Sequence, residues 1–440
     1  MATRSTISPF RRGGVHYGWM IVGLAFGIQT ASSSMRLAFG TFVDPLAETY
    51  GWSNGSIGLA YAIQFAASAV FAPLAGWMGD VYGTRRTLLL GVVLFSVGIM
   101  LTGTMDSLWE FYLYYGVIVG AALAVFMVLL VSAVTYWFKT KQGLAIGILM
   151  ASFGVGPVIA APLVVFAINR FGWGTAMTVA GLGSGLVMLV LIAKFYGKPA
   201  DKGDRPYGAL ASDPIQVTAD RATLNAASKA FFNRAKGTGN FWNLVNIHFL
   251  GCVGHSIIIV YGASIAIHQG IDSVVAAGVV STFFGLSIAS RFWTAFLADY
   301  FSPRGIMVAS FFLQGVTVFL LLEATSVWHF YLFAVIFGIG YGGEGTVFPL
   351  LDRRYYKNAP FGTSYGWQMF GASLGMGLGG WVGGYLFDIT GTYTLTIIVS
   401  AATSLGGMVS IFFLADPRKE LIPDWNKDIV VDGGVLPHVH

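Results

Sequence analysis

The feature that most constrains this chain is a series of apolar runs, most of them about 20 residues long, that alternate with short polar segments. A helix of about 20 apolar residues is long enough to cross a hydrocarbon core about 30 Å thick. Only 10% of the residues are charged and 55% are hydrophobic, whereas about 25% are charged in ordinary soluble domains. The sequence therefore predicts an all-α membrane protein with many transmembrane helices.

Twelve spans fit these runs, six on each side of a polar stretch. The predicted spans are 17–46, 53–78, 87–103, 108–135, 143–169, 175–196, 241–269, 273–298, 305–323, 327–351, 361–387 and 392–414. They divide the chain into an N-terminal six-helix bundle (1–196), a cytoplasmic linker (197–240), a C-terminal six-helix bundle (241–414) and a flexible cytoplasmic tail (415–440). Within the linker, residues 225–234 have the pattern of a short amphipathic helix.

The positive charges lie mainly on one side of this arrangement. All of the 25 Lys and Arg residues except Arg36, Arg170 and Arg291 fall in loops or span ends on the side of the N-terminus and the linker. Because Lys and Arg mark the cytoplasmic side of membrane proteins, both termini and the linker are predicted to be cytoplasmic.

The two halves contain an internal repeat. A single offset along the chain, without gaps, superimposes matching residues: Asp80 with Asp299, Arg85 with Arg304, Tyr136 with Tyr355, Gly143 with Gly362, Gly147 with Gly366 and Gly172 with Gly391. Parallel repeats of six helices, with a substrate site between them, are the plan of one large group of secondary transporters.

The loop after the second predicted span, at residues 76–86, resembles the G-x-L-A-D-r-x-G-r-R signature of the major facilitator superfamily. The resemblance implies a twelve-helix fold of two pseudo-symmetric bundles. It also implies a cytoplasmic latch in which Asp80 pairs with Arg85 across the inner gate, and the repeat extends this expectation to Asp299 and Arg304. The alternative is a solvated turn whose charges only set the orientation.

Three further segments resemble the monocarboxylate transporter family and its bacterial oxalate–formate relatives. They are GGVHYGW at 13–19, YWFKTKQGLAIG at 136–147, and the eighth predicted span, in which SIASR at 287–291 is followed by Asp299. The resemblance covers nearly the whole chain. It implies uptake or exchange of a small organic anion.

The chain departs from that family at positions that bear on coupling and substrate size. Val15 and His16 stand where the first motif carries an Asp, and Ser287 stands where relatives with a proton-coupling Asp hold it. Val125, Met127 and Val128 replace polar residues that many relatives carry in the fourth span. These departures leave the route of proton coupling and the size of the substrate open.

Arg291 is an isolated cation in the middle of a predicted span, which costs about 2.5–3.5 kcal/mol by insertion scales. A guanidinium matches two carboxylate oxygens, so Arg291 is predicted to bind the carboxylate of the substrate. The alternative is a structural ion pair with another span. Arg36 is a candidate second anion ligand or a partner of Glu344. The eleventh span has no cation at 365–368, which favours a monoanion unless Arg36 takes that role.

Glu344 is the only carboxylate deep within a predicted span, and His255 is a second ionisable group in the same half. Ionisable residues within spans are functional candidates, so Glu344 or His255 is a candidate proton carrier. A permanent salt bridge for Glu344 and a satisfied hydrogen bond for His255 are the alternatives. Polar aromatic and amide side chains are further candidates for the substrate pocket, with helix packing as their alternative: Tyr341, Tyr365 and Gln368.

Other classes of site find no support in the sequence. Two G-x-G-x-x-G strings, at 338–343 and 375–380, do not follow a strand of a βαβ unit, and no Walker loop is present. No Cys/His spacing typical of a metal site occurs, and Cys252 alone excludes a disulfide within the chain. We therefore expect no cofactor, no metal, no nucleic-acid partner and no enzymatic activity.

These observations predict a secondary active transporter, monomeric as a transport unit, that moves a small organic anion across the cell membrane by alternating access. Protons or a counter-substrate would drive it. One alternative keeps the fold but changes the cargo to a bulkier aromatic or neutral metabolite, such as a vitamin or a drug. Another, from a different class, is a membrane sensor that binds a ligand without flux.

Overall fold

The computed structural model of this chain is built almost entirely from helices. The structure describes residues 15–37, 39–215, 218–416, 418–427, 430–431 and 434–435. Within these ranges, the side chains at 36, 37, 40, 54, 157–162, 430, 431, 434 and 435 are outside the description.

The first half forms a bundle of long helices that follows the predicted spans with two differences. The predicted first span is divided into two helices, and the predicted fourth span contains a π-helical segment, Tyr112–Ile118. The helices are α1 (Tyr17–Leu37), α2 (Gly40–Tyr50), α3 (Asn54–Tyr82), α4 (Thr84–Thr102), α5 (Leu108–Phe111), which continues through the π-helical segment into α6 (Val119–Trp137), α7 (Gln142–Phe171) and α8 (Trp173–Ala193).

The linker and the second half follow in the same order as predicted. The linker contains a short 3₁₀ helix, Pro199–Lys202, and a longer helix, α9 (Arg221–Ala235). The second half contains α10 (Gly239–His268), α11 (Ser273–Tyr300), α12 (Pro303–Val318) with a 3₁₀ extension (Phe319–Leu322), α13 (Val327–Tyr356), α14 (Phe361–Thr390) and α15 (Thr394–Phe412). Two short antiparallel strands, Val430–Val431 and Gly434–Val435, lie in the tail.

Nine helical segments in the described part of the chain are long and apolar enough to cross a membrane. The long helices α1, α7 and α14 supply the remaining three spans of a twelve-helix fold. In α14, many glycine residues lower the mean hydropathy although its length of 30 residues exceeds the membrane requirement. The prediction of an all-α, twelve-span membrane protein is confirmed.

Local sequence signals explain where several helices begin. Ser53 accepts a hydrogen bond from the backbone N–H of Ser56, and Asp272 accepts from Val274 and Val275, so both residues act as N-caps. Gly83 joins α3 to α4 with a φ of +92°, in the region that glycine adopts without steric cost. The short loop at Gly83 therefore permits the tight reversal between two membrane-spanning helices.

The halves meet along two helix pairs that the internal repeat relates to each other. Helix α3 packs against α14, and α11 packs against α7. The offset that places Asp80 on Asp299 also carries α3 onto α11 and α7 onto α14, so the two interfaces are equivalent. A Cβ built on Gly76 would lie 1.9 Å from the carbonyl oxygen of Gly362, which shows how closely α3 and α14 approach. The contact of Gly76 with Gly362 lies at one end of the bundle, near Gly83, the linker and residues 415–427; we call it the basic end.

The linker helix α9 is longer than predicted and is packed against the protein. Asp220 caps its first turn through the backbone N–H of Thr223. Phe231 is fully buried, and Phe232 stacks on Trp367 of α14 with ring centroids 5.2 Å apart. The aromatic side of this amphipathic helix therefore faces the bundle at the basic end.

The first part of the tail is ordered against the second half, which differs from the flexible tail that we predicted. The backbone N–H of Leu421 donates to the carbonyl of Tyr355 at 3.1 Å, and the Tyr355 hydroxyl donates to the carbonyl of Ala415 at 2.7 Å. Trp425 is 7% exposed and meets Phe231 of α9 edge to face. Buried aromatic area explains why a segment of polar composition packs here.

Candidate functional site

At the basic end, Asp80 at the end of α3 joins the two halves. Its Oδ1 accepts from the backbone N–H of Gly362 at 3.2 Å, and its Oδ2 accepts from the N–H of Thr363 at 2.6 Å and from the Thr363 hydroxyl at 2.8 Å. The first backbone N–H groups of a helix have no partner within the helix and attract negative charge. Asp80 therefore caps α14 of the opposite half.

Asp299 at the end of α11 makes the equivalent contact in the other direction. Its Oδ1 accepts from the N–H of Gly143 at 2.9 Å, and its Oδ2 accepts from the N–H of Leu144 at 3.3 Å. Gly143 and Leu144 begin α7, and the offset of the internal repeat places them on the residues that Asp80 binds. Two helix caps between the halves therefore close the basic end, Asp80 on α14 and Asp299 on α7. We call these two caps the clasps, and the internal repeat relates one to the other.

The predicted pairing of each aspartate with an arginine is not the arrangement in this conformation. None of the ion pairs in the described part of the chain joins Asp80 to Arg85 or Asp299 to Arg304. Arg304 instead donates to the carbonyl of Phe412 at 2.8 Å. A carboxylate that already accepts several backbone hydrogen bonds has little need of a nearby guanidinium, which explains the difference.

Tyr136, at the end of α6, extends the first clasp. Its hydroxyl donates to Asp80 at 3.2 Å and accepts from the N–H of Phe361 at 2.9 Å. Two cations lie close to the ring, with Lys198 at 4.9 Å and the Arg353 guanidinium at 5.6 Å from its centroid. In the sequence, Tyr136 marks the repeat and opens the motif at 136–147, and the fold places it beside the first contact between the halves.

Arg291 lies on the inner face of α11. It is 7% exposed, whereas Trp293, two residues later on the lipid-facing side, is 70% exposed. Its guanidinium lies 5.3 Å from the ring centroid of Tyr341 on α13. Among the described ion pairs none includes Arg291, so a permanent pairing with an acid of the described residues does not explain its position.

The predicted proton carriers lie next to this arginine site. The His255 ring is 4.9 Å from the ring of Tyr341, and its Nδ1 lies 3.2 Å from Oε2 of Glu344. Gln314 of α12 donates to the same oxygen at 2.7 Å. The contacts form one chain, Arg291 to Tyr341 to His255 to Glu344, within the second half.

Among the described residues, Glu344 belongs to one group of potential metal ligands, together with two residues of α10. Donor atoms of Cys252, His255 and Glu344 lie within 4.8 Å of one another, and all three residues are buried. The sequence analysis singled out no metal site, although Cys252 and His255 lie on one face of a helix. Oε2 of Glu344 is bonded to His255 and Gln314, whereas its Oε1 is buried without a hydrogen-bond partner among the described residues.

Gln368 and Tyr365 of α14 were predicted to line the substrate pocket. In the structure both side chains contact other residues of the second half. Gln368 donates to Asp352 at 2.7 Å, and the Ser364 hydroxyl donates to the same carboxylate at 2.5 Å. Tyr365 is 3% exposed and stacks on Phe361. Asp352 was not predicted as a buried residue, because it precedes two arginines and resembles a loop residue in the sequence. The structure places it inside α13 with 1% exposure.

Arg36 is the remaining cation that was predicted for the site. Arg36 belongs to α1, but its side chain is outside the described part of the structure. The suggested pairing of Arg36 with Glu344 is therefore outside the description as well. The partners of Glu344 among the described residues are His255 and Gln314.

Two repeated six-helix halves, closed at one end and holding a buried cation within a span, define a multi-pass membrane transporter fold. The Major Facilitator Superfamily model matches residues 21–294 and 247–428. The chain belongs to the major facilitator superfamily.

Relatives and solved structures agree with this assignment. The chain is 26% identical to monocarboxylate transporter 2 of Homo sapiens, over 96% of this chain and 91% of that protein. It is 22% identical to the oxalate:formate antiporter of Oxalobacter formigenes, over 90% and 91%. The fold is similar to that of the proton:xylose symporter XylE, with a TM-score of 0.76, 14% identity and coverage of 92% and 97%. The protein is a major facilitator transporter and not an enzyme.

Proposed function

We propose that this transporter moves a small organic anion, of monocarboxylate type, by alternating access, with Arg291 holding the carboxylate. The observation that carries the proposal is the position of Arg291: a guanidinium that is 7% exposed, lies over the ring of Tyr341 and has no ion-pair partner among the described residues. Keeping such a cation in a span is costly unless a negatively charged group meets it during function.

Tyr341 supports this role through its geometry. A ring within about 6 Å of a cation attracts it through the negative face of the aromatic system. The distance of 5.3 Å is within this range, and the two side chains also share a hydrogen bond. Tyr341 would therefore orient the guanidinium, whose five N–H donors exceed what one hydroxyl can use. The names of two relatives, a monocarboxylate transporter and an oxalate:formate antiporter, agree with an organic anion as substrate.

The number of cations favours a single carboxylate on the substrate. The segment of α14 at 365–368 contains no Lys or Arg, and Gln368 is bonded to Asp352. Tyr365 and Gln368 then contribute to the shape of the pocket and not to a second charge. Arg36 stays the candidate for a second anion ligand if the substrate is a dicarboxylate.

For coupling, we propose that the pair of His255 and Glu344 carries a proton. The two side chains are 8% and 2% exposed, and Nδ1 of His255 lies 3.2 Å from Oε2 of Glu344. The pair is linked to Arg291 through Tyr341, so a change in the charge of the pair would alter the affinity of the anion site. Exchange of one anion for another is the alternative to this coupling.

The distribution of positive charge bears on the orientation of the transporter in the cell membrane. The basic end would face the cytoplasm of the cell membrane, because Lys and Arg residues concentrate there. Alternating access would move two bundles against each other, residues 1–196 and residues 241–414. Residues 197–240 would form the linker and residues 415–440 the tail. A single chain would be the transport unit. Asp80, Arg85, Asp299 and Arg304 would belong to the cytoplasmic gate, the aspartates through their caps on α14 and α7.

The test is uptake of radiolabelled short monocarboxylates and dicarboxylates into proteoliposomes. We expect Arg291→Ala to abolish uptake, Arg291→Lys to retain a small fraction, and Arg170→Ala, which removes an exposed cation from the end of α7, to behave as wild type. Size-exclusion profiles would confirm that all variants are folded. Full uptake by Arg291→Ala would contradict the proposal.

The same assay separates the other candidate functions. Uptake of aromatic or neutral solutes that short carboxylates do not inhibit would indicate the bulkier cargo. Saturable binding of a carboxylate to the purified protein, without flux in proteoliposomes, would indicate a sensor. Either result would replace the proposed function.

A further inference from the structure

The linker helix α9 contacts both halves of the transporter at the basic end. On the first half, Trp77 of α3 donates its indole N–H to Asn225 at 3.1 Å, and the guanidinium of Arg221 lies 4.5 Å from the ring centroid of Tyr82. These contacts are made by the N-terminal part of α9.

The C-terminal part of α9 is held by the second half and the tail. Phe232 stacks on Trp367 with an interplanar angle of 4° and a centroid distance of 5.2 Å. Phe231 meets Tyr356 of α13 edge to face at 5.2 Å. Arg234 donates to the backbone carbonyl of Asp424 at 2.8 Å, so the tail secures the same part of the helix.

The two sets of contacts differ in kind. Phe231 is fully buried within a cluster of aromatic rings, which is stabilised by removal of apolar area from water. The polar contacts with α3 include one neutral hydrogen bond and one cation over the ring of Tyr82, a residue that is 36% exposed, and water weakens both. If the halves separate at the basic end, α9 should therefore leave α3 and stay with the second half.

We propose that α9 is a strap across the gate: it moves with the second half, and its release from α3 is required before the basic end can open. The clasps of Asp80 and Asp299 lie at the same end, so strap and clasps would be broken in the same transition. The proposal concerns the transport cycle and is independent of the substrate.

Crosslinking tests the strap without a known substrate. Replacing Cys252, the only cysteine, by Ser allows two matched pairs to be introduced. One pair, Tyr82→Cys with Arg221→Cys, would tie α9 to the first half. The other, Phe232→Cys with Trp367→Cys, would tie α9 to the second half. A bifunctional methanethiosulfonate would close each pair, and intact-protein mass would confirm the crosslinked species.

Opening of the basic end can be followed by hydrogen–deuterium exchange of the amides that the clasps protect, at residues 143–144 and 362–363. We expect the crosslink to the first half to slow their exchange by about tenfold or more, because opening is prevented. The crosslink to the second half should leave the exchange rate unchanged. A reductant should restore the original rate.

The proposal is overturned if both crosslinks slow exchange equally or if the crosslink to the first half has no effect. An uncrosslinked comparison adds a second test. The double variant Arg221→Ala/Asn225→Ala should raise the exchange rate of the clasp amides, whereas Lys229→Ala, an exposed residue of the same helix, should not. Because no ligand is needed, failure here is distinct from failure of the proposed anion transport.

Discussion

The carboxylate of Asp80 accepts two hydrogen bonds from Thr363, one from the backbone N–H at 2.6 Å and one from the hydroxyl at 2.8 Å. Asp80 ends a helix of the first half, and Thr363 lies in the first turn of a helix of the second half. The negative charge thus meets the positive end of a helix dipole across the gate. This geometry joins the two halves without an ion pair.

The first prediction concerns the stability of the closed gate. Asp80→Asn keeps the shape of the side chain but removes its charge, and hydrogen bonds to charged groups contribute about 1.5–3 kcal/mol each. We expect the ratio of closed to open molecules at the basic end to fall by about 10- to 100-fold. Asp299→Asn should act in the same direction, because it breaks the equivalent clasp.

Distances between spin labels would measure this ratio. Cysteines introduced at Arg86 and Lys357, which are exposed on opposite halves at the basic end, would carry the labels in a chain with Cys252→Ser. Asp106→Asn, an exposed acid in the loop before α5, is the control. An unchanged distance distribution in Asp80→Asn would show that the clasp does not hold the gate.

The second prediction concerns the aromatic face beneath Arg291. A desolvated cation–π contact is worth about 2 kcal/mol, so Tyr341→Leu should raise KM for the transported anion by about 10- to 30-fold. Tyr341→Phe keeps the ring and should change KM by less than about threefold. Tyr331→Leu, nearer the start of the same helix, is the control. Equal effects of the Leu and Phe variants would instead assign the role to the hydroxyl.

The third prediction concerns the coupling of uptake to protons. Glu344→Gln keeps the size of the side chain but removes the ionisable group that contacts His255. We expect uptake in proteoliposomes to lose its response to an imposed pH gradient, while exchange of anions between the two sides continues. Asp352→Asn, which changes another buried carboxylate of α13, should keep the response. A pH response that persists in Glu344→Gln would exclude Glu344 as the proton carrier.

The repeat and the site were predictable to different extents. The internal repeat predicted which residues are equivalent, and the equivalent contacts of Asp80 and Asp299 agree with it. The partners of these aspartates were predicted incorrectly, because a sequence motif cannot show that a helix of the other half begins beside the carboxylate. Asp352 was not predicted as a buried residue, because the two arginines that follow it suggest an exposed loop.

Amino-acid sequence alone determined the class of the protein, the number of spans, the repeat and the isolated charges within spans. These properties follow from local rules. The thickness of the bilayer fixes the length of each spanning helix, and the cost of a charge in hydrocarbon makes charged residues within spans rare. Tertiary structure alone decided which partners those charges have, such as Tyr341 beneath Arg291 and Thr363 against Asp80. The reason is physical, because hydrogen bonds and ring contacts act over a few ångströms between helices that are far apart in the chain.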